Sequence, residues 1–259
     1  MKKIQGVSVF LPVYNEEKIL AKHVMLVYNA VKKLERPFEI VIVDDNSTDK
    51  TSLLADKLSI KYNTEGHSVR HRFFNNGPSR RENLAVAMTE AKYPITVFMD
   101  MDLSVNLEYL SNLLLEMDKG YAVAIGSRYM GLKPHREWYR LIISRIYNKL
   151  WRKLFRSKVR DHNCGFKAMK KDVLKKVVSD LGYDKQFVRG WFWDAEFLII
   201  AQAYGYKIAE FPVTWDSGKQ SSFNVRRELR MITYIFRKAP FLWKEIKNGR
   251  KNRIKNEKR

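Results

Sequence analysis

Two acidic clusters carry the chemistry that can be read from this chain: Asp44-Asp45 and Asp100-Met101-Asp102. Each begins where an apolar run stops. Glu39-Ile-Val-Ile-Val leads into Asp44, and Ile95-Thr-Val-Phe-Met leads into Asp100. Short runs of β-branched and aromatic residues read as strands buried on both faces, as in a parallel sheet. Ligands of open α/β sheets bind just beyond the carboxyl ends of such strands. Carboxylates gathered there repel one another unless a cation or several hydrogen-bond donors compensate. Asp-x-Asp at a strand end therefore points to a hard divalent cation held by Asp100 and Asp102, its remaining positions filled by water and substrate phosphate. Asp49 reads differently, as a cap on the helix that follows it.

The elements that position these acids alternate in the first half as strand and helix, the βαβ pattern of a doubly wound sheet. Val7–Leu11 is the first strand, and Asn15 is placed to cap a helix running to about Leu34. Strand Phe38–Val43 follows, then a helix capped by Ser47 or Asp49 and a weaker strand at Val69–Phe74. A helix over Arg80–Ala91, strand Ile95–Met99, helix Leu107–Met117 and strand Tyr121–Ile125 complete this half. Beyond it, Arg136–Arg156 is an amphipathic helix in which Trp138, Ile142, Ile146 and Leu150 recur at helical spacing among Arg140, Arg145, Lys149 and Arg152. Cys164–Met169 is strand-like, Trp193–Tyr204 helical and Lys207–Val213 a short strand. Val225–Lys247 is basic and amphipathic, interrupted at Pro240, with a disordered tail expected beyond Asn248. The expected division is a catalytic domain over 1–220 and a basic, membrane-associating segment over 221–259.

Charge is distributed unevenly. Residues 1–130 hold 17 Lys and Arg against 16 Asp and Glu, whereas residues 131–259 hold 32 against 12. One-signed charge confined to one half implies a polyanionic partner there, nucleic acid or an anionic membrane. No nucleic-acid motif supports the first, and interleaved Trp, Phe and Tyr suit a membrane interface. No run reaches the roughly 18 apolar residues of a span, and the amino-terminal residues show no signal-peptide core. The single Cys164 excludes an internal disulfide. Glycine-rich dinucleotide and P-loop signatures are absent, as is zinc-ligand spacing.

Seven motifs in order narrow the reading. Leu11-Pro-Val-Tyr-Asn-Glu-Glu, Val43-Asp-Asp-Asn-Ser-Thr-Asp, Met99-Asp-Met-Asp-Leu and Gly126-Ser-Arg-Tyr resemble an inverting glycosyltransferase of family 2 with a GT-A fold. Asp161-His-Asn-Cys-Gly-Phe-Lys, Trp193-Asp-Ala-Glu and Glu210-Phe-Pro-Val-Thr-Trp are similar to its polyprenyl-phosphate (dolichyl-phosphate) glucosyl- and mannosyltransferase branch. The resemblance implies an α/β nucleotide-diphospho-sugar transferase fold: a mostly parallel, Rossmann-like sheet with basic amphipathic helices in the carboxyl-terminal half. It implies that Pro12, Tyr14, Glu16, Asp44 and Asp45 hold the nucleoside of a UDP- or GDP-hexose. Asp100 and Asp102 meet the diphosphate and its Mg²⁺ or Mn²⁺, Arg128 and Arg145 meet phosphate, and Asp194 and Glu196 lie near sugar and acceptor. It further implies a peripheral enzyme on the cytoplasmic membrane face.

A sugar hydroxyl needs a general base before it attacks, and Asp194 is the candidate if the acceptor is a glycan. A lipid monophosphate is already anionic at neutral pH and needs cations instead, which guanidinium forks supply. The arginine excess beyond residue 127 fits the phosphate. Two departures from the family pattern stand out: Leu103-Ser-Val-Asn replaces the common Gln-His-Pro-Pro, and Asn76-Gly-Pro-Ser-Arg-Arg is bulkier than the usual small-residue loop. Lys219-Gln-Ser-Ser-Phe-Asn follows the family's acceptor-loop pattern loosely.

Overall fold

The computed structural model describes residues 5–64, 66–78, 80–131, 138–185, 187–216 and 225–257, with the backbone alone described at 225–232 and 250–257. Expectations for Arg136 and for the Lys219 loop lie outside these residues. The first half alternates β1 (Val7–Val13), α1 (Leu20–Lys32), β2 (Phe38–Asp44), α2 (Thr51–Lys61), β3 (His67–Phe73), α3 (Arg81–Thr89), β4 (Ile95–Met99), α4 (Tyr109–Asp118) and β5 (Val123–Ser127). Then come α5 (Trp138–Phe155), β6 (Phe166–Lys170), α6 (Lys171–Leu181), α7 (Phe192–Ala203), β7 (Ile208–Pro212) and α8 (Val225–Glu257).

The seven strands form one sheet in the order β3-β2-β1-β4-β6-β5-β7. All neighbouring pairs are parallel except those made by β6, which runs against both β4 and β5. β2 and β4 have every residue buried, as expected of strands covered on both faces. Because β1 pairs with both β2 and β4 in parallel, the carboxyl ends of all three open on one edge, which brings Tyr14, Asp45 and Asp100 together. β6 starts where β4 ends, so its preceding turn stands at that same edge: the Asp100 N–H donates to the Gly165 carbonyl at 2.9 Å.

Three local expectations are corrected, and one further helix joins the fold. Asn15 does not cap α1, which begins five residues later at Leu20. It adopts φ 55°, a conformation asparagine tolerates, and its Oδ1 accepts from the N–H groups of Thr48 (2.8 Å) and Asp49 (3.3 Å), tying the ends of β1 and β2 together. α6 was not anticipated; it follows β6 without a break and buries Val173, Leu174, Val177 and Leu181 at helical spacing. α8 continues through Pro240 because Tyr234, Ile235, Ala239 and Leu242 anchor it in the core on both sides. It also continues past Asn248, where a disordered tail was expected. There buried Gly249 lets its backbone approach Ala203 and Tyr204 so closely that a Cβ would lie 2.6 Å from the tyrosine ring.

The basic helices divide their faces. In α5, Trp151 and Phe155 are buried, while Trp138 (69%), Ile142 (49%) and Ile146 (61%) are exposed. Among the described residues no helix is long and apolar enough to cross a membrane.

Candidate active site

The strand-end acids are not equivalent. Asp44 is fully buried and satisfied locally: Oδ1 accepts from the Ser47 N–H (2.9 Å), Oδ2 from the Ser52 hydroxyl, and His71 Nε2 stands 3.6 Å away. Burial opposes its charge, but hydrogen bonds from His71 and the two serines hold its carboxyl below the usual range. Asp45 accepts from the Arg80 N–H (2.9 Å) and from Asn83 Nδ2 (2.6 Å), so it fastens the start of α3 to the end of β2. Both residues expected to hold the nucleoside thus also build the loop that would receive it.

Pro12 is half-buried and Tyr14 exposed at the end of β1. Glu16 donates its N–H to Thr51 Oγ1 at 2.8 Å. Its carboxyl is pushed up by burial and then by the carboxylates of Asp102 and Asp49. That coupling places Glu16 and Asp102 in one negative field, although 85 residues of chain separate them. Such a field favours a bound cation.

Asp100 and Asp102 diverge in the same way. Asp102 is exposed, and one oxygen accepts the Ser104 N–H at 3.0 Å. Asp100 is only part-exposed, and Arg81 Nη2 lies 3.3 Å from its Oδ1. Loss of solvation raises the Asp100 carboxyl, Arg81 pulls it back, and Asp102 and Asp194 raise it again. Its other oxygen lies over Gly165, where a Cβ would fall 1.8 Å away, so only glycine leaves Asp100 this position.

Arg81 also donates from Nε to Asp194 Oδ2 at 3.0 Å, and the buried Lys167 Nζ reaches Asp194 Oδ1 at 3.1 Å. Both cations lie over the Phe98 ring, at 5.0 and 5.1 Å from its centroid. Sequence reasoning missed Arg81, Lys167 and Gly165 as site residues. The signals present were the bulky Asn76–Arg81 loop and the Cys-Gly-Phe-Lys motif, neither of which names its partner.

Glu196 is two residues from Asp194 on α7, about 200° around the helix, and faces elsewhere. It accepts from the Tyr234 hydroxyl at 3.2 Å and lies 3.5 Å from Arg189, which is 3.3 Å from Glu82. Burial pushes its carboxyl up to about 7 despite Arg189. The structure therefore brings Asp194, and not Glu196, to Asp100.

Arg128 is buried with its fork filled by Asp161, Nε to Oδ2 at 2.7 Å and Nη2 to Oδ1 at 2.8 Å. Burial opposes the Asp161 charge, but this guanidinium holds the carboxyl below its usual range. Arg145, in contrast, is exposed on α5 and makes no hydrogen bond or ion pair among the described residues. Tyr129 and Ser144 join their hydroxyls at 2.5 Å, linking the end of β5 to α5.

Among the described residues no three acidic, histidine or cysteine side chains gather as a closed metal cage. An open pair of carboxylates is nonetheless what Mg²⁺-type sites use when substrate phosphates and water complete the shell. Asp102, exposed in a negative field, with Asp100 behind it, fits that donor set.

A mostly parallel sheet with Asp-x-Asp on the end of its central strand defines the GT-A class of nucleotide-diphospho-sugar transferases. The chain belongs to glycosyl transferase family 2, which matches residues 8–178. It is 32% identical over 227 residues to glycosyltransferase AglD of Haloferax volcanii, covering 86% of this chain and 35% of that protein. It is 30% identical over 247 residues to polyprenol monophosphomannose synthase of Mycolicibacterium smegmatis, covering 88% and 86%. The chain thus spans about a third of the first relative and most of the second. A solved structure of glucosyl-3-phosphoglycerate synthase from Mycobacterium tuberculosis, in complex with Mn²⁺, uridine diphosphate and phosphoglyceric acid, shares the fold. Its TM-score is 0.64 at 15% identity, over 91% of this chain and 78% of that one.

Proposed function

We propose that this chain transfers a hexose, with inversion, from a nucleoside diphosphate sugar of the UDP-glucose or GDP-mannose type to a polyprenyl phosphate. The transfer takes place at the cytoplasmic face of an anionic membrane. The state of Asp194 carries the reading. It is the natural candidate for a base, yet both of its oxygens are held by cations, the half-buried Arg81 at 3.0 Å and the buried Lys167 at 3.1 Å. The carboxylate is buried and both oxygens already receive N–H donors, so it is not presented to an incoming hydroxyl, and a phosphate acceptor needs no base. The polyprenol monophosphomannose synthase relative, matched over most of both chains, supports the same acceptor class.

In this reading Asp102, backed by Asp100, holds Mg²⁺ or Mn²⁺, which would stabilise the departing diphosphate as a Lewis acid. Pro12, Tyr14, Glu16 and Asp45 line the nucleoside end, and buried Asp44 shapes the loop beneath it. Arg81 and Lys167 fix Asp194 and Asp100 so that neither swings when the donor binds. Arg145 offers an open fork to the acceptor phosphate, while Arg128, committed to Asp161, holds the end of β5. Glu196 supports α7 from behind.

The test supplies purified protein with radiolabelled UDP- and GDP-hexoses and either a polyprenyl phosphate or the parent polyprenol. Organic-extractable label that requires the phosphate, and that Asp102→Asn abolishes, is expected. Equal labelling of the free alcohol, or label in a glycan alone, would overturn the phosphate acceptor.

A further inference from the structure

Away from the strand-end acids the described residues line an open cavity of about 710 Å³, beside Tyr121, which precedes β5, and Lys207, which precedes β7. β4 and β5 share a direction, because both run against β6. This cavity therefore opens at the amino ends of the strands, across the sheet from Asp100 and Asp102. Its volume is that of a small-molecule site. Phe155, Val159, Ile199, Ile208 and Ile246 supply an apolar wall.

Three cations line the same space: Arg156, Lys158 and Lys207. All three are exposed, and their side chains make no hydrogen bond or ion pair among the described residues. The acid that lines the cavity, Glu210, is already engaged, accepting from the N–H groups of Arg160 (2.9 and 3.0 Å) and Asp161 (3.0 Å). Among the described residues an apolar pocket thus carries three cations on its rim against one carboxylate.

The backbone supplies an independent observation. Arg156 has φ 54°, at the position just past the end of α5 where glycine or asparagine is the ordinary residue. Gln202 fixes it there, donating from Nε2 to the Arg156 carbonyl at 3.1 Å while its Oε1 accepts the Lys158 N–H at 2.6 Å. One side chain in the cavity wall therefore sets both cation-bearing residues. Keeping arginine in a left-handed conformation carries a steric cost that glycine would avoid.

We propose that this cavity is a second ligand site for a single-chain lipid with an anionic head. The hydrocarbon lies against the apolar wall and the head on Arg156, Lys158 and Lys207. The site stands apart from the glycosyl-transfer reading and does not depend on it.

Titration calorimetry below the micelle concentration tests it with 1-lauroyl-lysophosphatidate, neutral monolaurin and inorganic phosphate. The charged lipid should bind at least about tenfold tighter than either control. Combining Arg156→Gly, Lys158→Ala and Lys207→Ala should weaken it by about tenfold or more. Thermal stability should not fall, since glycine relieves the left-handed residue. Ala203→Trp, which fills the cavity from a lining position, should abolish binding and supplies the same reading if the triple variant fails to fold. Equal binding of monolaurin or of phosphate alone would overturn the proposal, as would affinity unchanged in the folded variants.

Discussion

At the scale of single residues, the candidate site is a set of carboxylates told apart by their neighbours. Asp102 faces solvent, Asp100 leans on Arg81, and Asp194 is clasped between Arg81 and Lys167. Gly165 makes the middle member possible. Gly165→Ala should push the Asp100 carboxyl aside, because the added methyl would overlap Oδ2. Displacements of this kind cost about a hundredfold in turnover, so kcat should fall by that order while thermal stability changes little. Steady-state kinetics beside a melting curve separates the two. Glu196 makes a different prediction. Its carboxyl is pushed up to about 7 by burial, whereas in the unfolded chain it ionises near the ordinary 4.5. The native state therefore binds more protons between these values. Its contribution to stability is complete below about 4.5 and is lost as pH rises through about 7. Glu196→Gln should flatten that dependence, with the variant more stable than the parent at pH 8 by on the order of 2 kcal/mol. Denaturant titration at pH 5 and pH 8 would detect it, and parallel curves for both proteins would refute it.

Among the elements, the long-range ties do what the strands alone cannot. Arg128 at the end of β5 grips Asp161 in the turn before β6, and the Asp161 N–H is held by Glu210 on β7. Asp161→Asn breaks the fork and strands a buried guanidinium, for which a loss of about 3–5 kcal/mol is expected by chemical denaturation. The strands carrying this arrangement are legible in the sequence because a run such as Ile40–Val43, closed by acids, has few alternatives to a buried parallel strand. The ties are not legible. Arg81 opens α3, and its partner Asp194 lies 113 positions away. No local period links them. Asn15 was misjudged because asparagine suits both an N-cap and a left-handed turn, and only the fold chooses between them. Pro240 reads as a break, but the side chains anchoring α8 lie on both sides of it. α6 escaped notice because it follows β6 with no glycine, proline or capping residue between.

For the whole molecule, charge and greasiness are segregated as well as the chemistry. The carboxyl-terminal half holds most of the +21 net charge, and the outer face of α5 presents Trp138, Ile142 and Ile146 ahead of Lys149, Arg152 and Lys153. The protein should sediment with vesicles containing anionic lipid and much less with zwitterionic ones. Binding should weaken between about 50 mM and about 500 mM salt as screening shortens the reach of the cations. Equal sedimentation with both kinds of vesicle, unaffected by salt, would remove the electrostatic part of the attachment.

The reversed strand β6 has a temporal implication. On a ribosome the acids on β1, β2 and β4 are all made before residue 103, yet the Gly165 carbonyl that receives Asp100, together with Lys167 and Asp194, arrives scores of residues later. A nascent chain paused near residue 130 would display Asp44, Asp45, Asp100 and Asp102, with Arg81 in place but without the Gly165 carbonyl, Lys167 and Asp194. The edge that carries Asp100 is thus complete only once the later segment has threaded back between β4 and β5.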